Sequence, residues 1–114
     1  MKKQLEEQLM QYHPNLKQYE KEIVLIEQFF QENGFFEQIE ENEVFWNHML
    51  SLIQRMDEKS LNDMEVDLEL KEAYLTQAKT LIDTLSTVRD VEITEFELFL
   101  LGIYFQKFQE ESGK

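Results

Sequence analysis

The chain has 114 residues, no cysteine, one proline, three glycines and a formal charge of −13 at pH 7. That length fits one domain with a core of its own, the missing cysteine excludes disulfides, thiolate metal sites and cysteine nucleophiles, and the charge opposes nucleic acid and anionic lipid at long range. Scarce glycine and proline leave little material for hairpin turns, so an all-α chain is expected.

Residues 1–12 spell a short polar helix with Leu5 and Leu9 one turn apart. It should end near His13, because Pro14 disfavours helical geometry in the residue before it. Residues 1–15 thus read as an N-terminal extension, a candidate mobile segment, ahead of a core at 16–111, the whole forming a single domain over 1–114. His13, at the break, is expected at the surface. The N-terminal stretch mixes acids with bases and has no apolar signal core, so export by a cleaved leader is not expected.

From Leu16 to Glu32 the apolar positions Leu16, Tyr19, Ile23, Ile26 and Phe30 follow 3-4-3-4 spacing, and Asn33-Gly34 supplies a left-handed stop. The second long helix starts somewhere between Glu37 and Asn42 and runs to about Asp57. On it Phe45, Met49, Leu52 and Met56 form one stripe, widened by Trp46 and Ile53. His48 and Arg55 lie together on the edge of that stripe. An imidazole placed there packs its ring while one nitrogen stays wet, which suits titration near neutral pH or nucleophilic attack.

Residues 58–67 are polar with isolated Leu61, Met64 and Val66, and read as a loop with one helical turn. A third helix is expected from Asp67, as N-cap, to about Ser86, with Tyr74, Ala78, Leu81 and Leu85 on one face. Thr94-Glu-Phe-Glu97 is a capping box opening a fourth helix, which is apolar nearly all round from Phe96 to Phe105. Such a helix is either central to a bundle or covered in part by another protein, a second copy being the simplest cover, and Gly102 would admit a close backbone. Its longest apolar run, residues 98–105, is far short of the ~20 residues needed to span a bilayer. The fold expected is a compact all-α bundle of four main helices plus a short N-terminal helix.

Sequence motifs for nucleotide binding, zinc proteolysis or serine hydrolysis are absent. The acidic run Glu37, Glu40, Glu41 and Glu43 has no histidine at i+3 or i+4 and no EF-hand glycine, so it reads as a solvated helix start rather than a metal site. No metal and no cofactor are expected. His48 with Glu41 or Glu43 as an acid and base pair would need a pocket that the sequence does not display.

The run NHMLSLIQR (47–55) resembles the first histidine motif of the PTS regulation domain, the helical module of bacterial antiterminators and activators controlled by the sugar phosphotransferase system. Asn47, His48, Met49 and Arg55 stand where that motif has a polar residue, the histidine, an apolar residue and an arginine. The stretch 67–85, with Lys71 and Tyr74, is similar to a later helix of the family. Residues 93–106 resemble its last motif, in which a glutamate precedes an apolar stretch ending in a second histidine. Here that position is Tyr104, which cannot take a phosphoryl group as histidine does.

The resemblance covers about residues 17–110 and implies a phosphoacceptor at His48, supported by Asn47, Arg55 and Tyr104. Arg55 would steady the phosphoramidate, and Tyr104 would lie near His48. With one histidine instead of two, the two-site logic of the family is either abolished or simplified to one site. The partners implied are a phosphocarrier or a sugar-specific transporter component of the system, with a homodimer as the working unit, no nucleic acid bound directly and no membrane. The expectation is a cytoplasmic, non-enzymatic regulatory module acting through another chain. The alternative is a helical interaction protein of the same fold with no phosphorylation.

Overall fold

The computed structural model describes residues 1–67 and 69–112. The chain is all-α: among the described residues there is no strand, and six α-helices follow one another, α1 (Lys3–Met10), α2 (Glu20–Glu32), α3 (Phe36–Ile39), α4 (Glu43–Glu58), α5 (Glu72–Leu85) and α6 (Glu95–Ser112). Four are long and one is the short N-terminal helix, as expected. No helix among the described residues is long and apolar enough to cross a membrane. The chain divides into two compact units, Met1–Gln54 and a second beginning at Arg55, with α4 running through the boundary.

In the first unit α1 buries Leu5 and Leu9, so the extension is packed rather than loose. A 3-10 turn at Leu16–Tyr19 leads into α2, which buries Ile23, Ile26, Phe29 and Phe30. The stop falls where the sequence puts it. Gly34 takes φ +79°, and Phe35 N donates to Phe30 O at 2.7 Å, closing the end of α2 as a left-handed residue at this position allows. After the single turn α3, the start of α4 is set by Asn42, whose Oδ1 accepts from Phe45 N at 3.0 Å.

The core of this unit is aromatic. Phe30 and Phe45 meet edge to face with centroids 5.0 Å apart, and Phe45 meets Trp46 at 5.4 Å. Trp46 is fully buried and its Nε1 donates to Ile39 O at 2.8 Å, so the one polar atom of the indole is satisfied.

In the second unit, α5 and α6 pack against each other. The end of α4 is closed by Lys59 at φ 55°, with Ser60 N donating to Arg55 O at 2.9 Å. Residues 59–67 and 69–71 then run without any helical turn, so the single turn expected in 58–67 is not formed. The third long helix also starts later than expected, at Glu72 rather than beside Asp67; Leu68, inside the expected stretch, lies outside the described residues. Lys71, in extended geometry (φ −58°, ψ 138°), takes the N-cap place, and its carbonyl accepts from Tyr74 N and Leu75 N. The reason is tertiary: Leu70 reaches Gly102 on α6, where an added Cβ would collide with Leu70 Cδ2. Seating Leu70 there fixes the chain as extended just before the helix.

On α6 the residues Leu101, Gly102, Phe105 and Phe108 are buried. Phe96, Leu98, Phe99, Leu100, Ile103 and Tyr104 keep part of their surface exposed. None of these six is fully exposed, so this stretch of α6 is largely covered while part of its apolar surface stays open.

Candidate functional site

Asn47 and His48 belong to the first unit, Arg55 and Tyr104 to the second. The capped start of α4 and its buried stripe of Phe45, Met49, Leu52 and Ile53 fix the rotation of the helix. His48 then falls at the edge of the buried surface and is half-buried, with Nε2 withdrawn from solvent. Asn47 is exposed.

His13 corrects the sequence reading. Expected at the surface, it is only 3 % exposed. Its Nε2 lies 2.6 Å from Asn47 Oδ1, which brings the end of the N-terminal segment onto the residue preceding His48. The backbone holds it there: His13 N donates to Leu9 O at 2.8 Å, and Leu16 N donates to His13 O at 3.0 Å. The missed signal was spacing, since Leu5, Leu9 and His13 recur every four residues and continue one apolar stripe.

In the second unit Arg55 is engaged by Glu97. Arg55 Nε donates to Glu97 Oε2 at 2.9 Å and Nη2 donates to Oε1 at 3.1 Å, a fork on both carboxylate oxygens. Glu97 is fully buried, whereas the arginine side chain keeps 23 % of its surface. The expected capping box is half formed. Glu97 N donates to Thr94 Oγ1 at 3.2 Å, but the carboxylate that would complete the box is turned to Arg55. Thr94 also ties the preceding loop, its Oγ1 donating to Asn62 O at 2.5 Å.

Tyr104, one turn before Phe108, lies with its ring centroid 5.9 Å from that of the phenylalanine. Burial pushes its hydroxyl above the usual tyrosine range, because the phenolate would lose hydration. Neutral at pH 7, it is an amphipathic packing residue. Among the described residues no three histidine, aspartate or glutamate side chains converge in a way that would hold a metal ion.

Chemically, the first unit offers an imidazole at a surface edge beside an exposed amide that a buried second histidine holds. The second offers an arginine whose charge is already matched. Compared with family models, curated proteins and solved structures, the chain matches none.

Proposed function

We propose that the chain is a regulatory module like the PTS regulation domain, in which His48 accepts a phosphoryl group from a phosphohistidine carrier or a sugar-specific transporter component. It works in the cytoplasm as a homodimer and passes the signal to another protein. The observation that carries this reading is the position of His48, part exposed at the rim of a rigid helix in the motif NHMLSLIQR. In the transfer, the bare nitrogen of neutral His48 attacks phosphorus. A new N–P bond forms as the carrier's N–P bond breaks, and the bonding pair returns to the carrier's imidazole while each ring keeps its own N–H. About two negative charges then sit on an already acidic surface and bias the contacts that surface makes. Arg55 belongs to the scaffold in this reading, since Glu97 holds it.

A second reading rests on α6, where six apolar side chains from Phe96 to Tyr104 are part exposed. They suit an interaction protein of the same fold that binds its partner with no phosphorylation. The two readings separate when the purified protein is incubated with phosphoenolpyruvate, Enzyme I and HPr and its intact mass is measured. An acid-labile gain of one phosphoryl group, lost in His48→Ala, is expected. No gain with either this mixture or a transporter component as donor would leave the second reading standing.

A further inference from the structure

His13 is the one nearly buried histidine, and the phosphotransfer chemistry above makes no use of it. We propose that it is a positioning residue: it fixes the Asn47 side chain with the amide nitrogen turned outward beside His48, where that nitrogen donates to the arriving phosphoryl group. The proposal rests on the reading of His48 as phosphoacceptor.

The argument starts from the proton on His13. Its Nδ1 is buried with no hydrogen-bond partner among the described residues, while Nε2 faces Asn47 Oδ1 at 2.6 Å. A proton on Nδ1 would be a buried donor with no acceptor, which is more unfavourable than an unmatched lone pair. The proton therefore sits on Nε2 and is donated to Asn47. That choice propagates. With Oδ1 committed inward, the two N–H groups of the Asn47 amide are left on its other side, and Asn47 is exposed. Consecutive helix positions diverge by about 100°, so the amide meets not the His48 ring but a group arriving on that ring from outside. A phosphoryl group carries three acceptor oxygens and about two negative charges, and an amide N–H is a matched donor for it.

Without His13, the Asn47 amide rotates freely and presents oxygen as often as nitrogen. A carbonyl oxygen turned to a phosphoryl group is repulsive. Buried Leu5 and Leu9 and the backbone bonds at His13 hold the imidazole in place for this contact.

The test measures the rate of phosphoryl transfer to His48 from phosphorylated HPr and, independently of any carrier, from phosphoramidate. Asn47→Ala should slow transfer by about tenfold, the worth of one hydrogen bond to a charged group, and Asn47→Asp, which replaces the donor with a negative charge, should slow it further. His13→Leu should give the same loss, and His13→Leu combined with Asn47→Ala should be no slower than Asn47→Ala alone. His13→Gln, whose amide N–H can replace the imidazole donor, should restore most of the rate. An unchanged rate in the Asn47 variants, or losses that multiply in the double variant, would overturn the positioning role while leaving His48 as acceptor. If wild-type protein takes no phosphoryl group from either donor, the acceptor reading falls and this inference with it. Because His13→Met keeps the bulk of the side chain and lacks the N–H that His13→Gln retains, the comparison of these two decides the matter even if His13→Leu fails to fold.

Discussion

Arg55 and Glu97 differ in exposure, and that difference sets what each contributes. The carboxylate is fully buried and both its oxygens are used by the guanidinium, which remains partly in water. Deleting the arginine leaves a buried charge with no counterion, so Arg55→Ala should lower stability by about 3–5 kcal/mol. Arg55→Lys keeps the charge but loses the planar fork and should be intermediate. Replacing both ends with packed apolar residues, Arg55→Met with Glu97→Leu, should recover most of the loss, since an ion pair and a well-packed apolar pair are often close in free energy. Urea unfolding followed by helical ellipticity measures all three. A loss below about 1 kcal/mol for Arg55→Ala would mean that the pair behaves as an exposed one. At this scale the sequence was partly legible. Thr94 to Glu97 has the capping-box spacing, and half the box is there, because capping is local. The carboxylate's actual partner is 42 positions away, and no local pattern encodes it. His13 is the opposite case: its four-residue spacing from Leu9 was visible, and Pro14 drew attention to the break instead of to the stripe.

The ends of helices with a strong apolar period and a local stop were readable to within a residue or so, but α2 starts at Glu20 instead of Leu16, because residues 16–19 form a 3-10 turn. For α2 the 3-4 spacing and Gly34 act together, and for α4 the stripe from Phe45 to Met56 leaves only the start to be settled by Asn42. The start of α5 was not readable, because Asp67 is a good cap by chemistry while Leu70 is held by α6. That contact gives a prediction with a sign. Gly102→Ala gains about 1 kcal/mol of helix propensity, but the new methyl group displaces Leu70 Cδ2, the flexible end of a side chain, and lies 3.6 Å from Leu75 Cδ2 and Tyr74 O. The net change in wild-type background should be within about 1 kcal/mol of zero. In a Leu70→Ala background the collision is gone, and the same substitution should stabilise by about 1 kcal/mol. Gly102→Val, which adds two more carbons beside Leu70 and Leu75, should destabilise by about 1–3 kcal/mol in the wild-type background and by less with Leu70→Ala. Thermal and urea unfolding of the set distinguishes them. A Gly102→Ala change in the wild-type background equal to that in the Leu70→Ala background would mean that Leu70 does not occupy this place.

For the molecule as a whole, the all-α class follows from composition: helical apolar periods recur along the chain, while the glycine and proline that tight turns need are almost missing. The surface is governed by a charge of −13, which acts on every association the chain makes. Two copies of a module at −13 repel one another, so a homodimer must overcome that repulsion with apolar contact, and among the described helices α6 carries the most part-exposed apolar side chains. Salt shortens the reach of the repulsion from roughly 14 Å at 0.05 M to about 4 Å at 0.5 M, while apolar burial does not weaken over that range. The dimer should therefore tighten as salt rises, which is the reverse of an assembly held by surface ion pairs. Sedimentation equilibrium at the two salt concentrations measures this directly. The expected outcome is a dissociation constant at least severalfold lower at 0.5 M, with Phe99→Glu abolishing association at both. A monomer at every concentration and both salts would remove the homodimer from the proposal and leave the apolar side of α6 to a different partner. A dimer that weakens with salt would place its interface on the few basic side chains, with their acidic counterparts, instead of on α6.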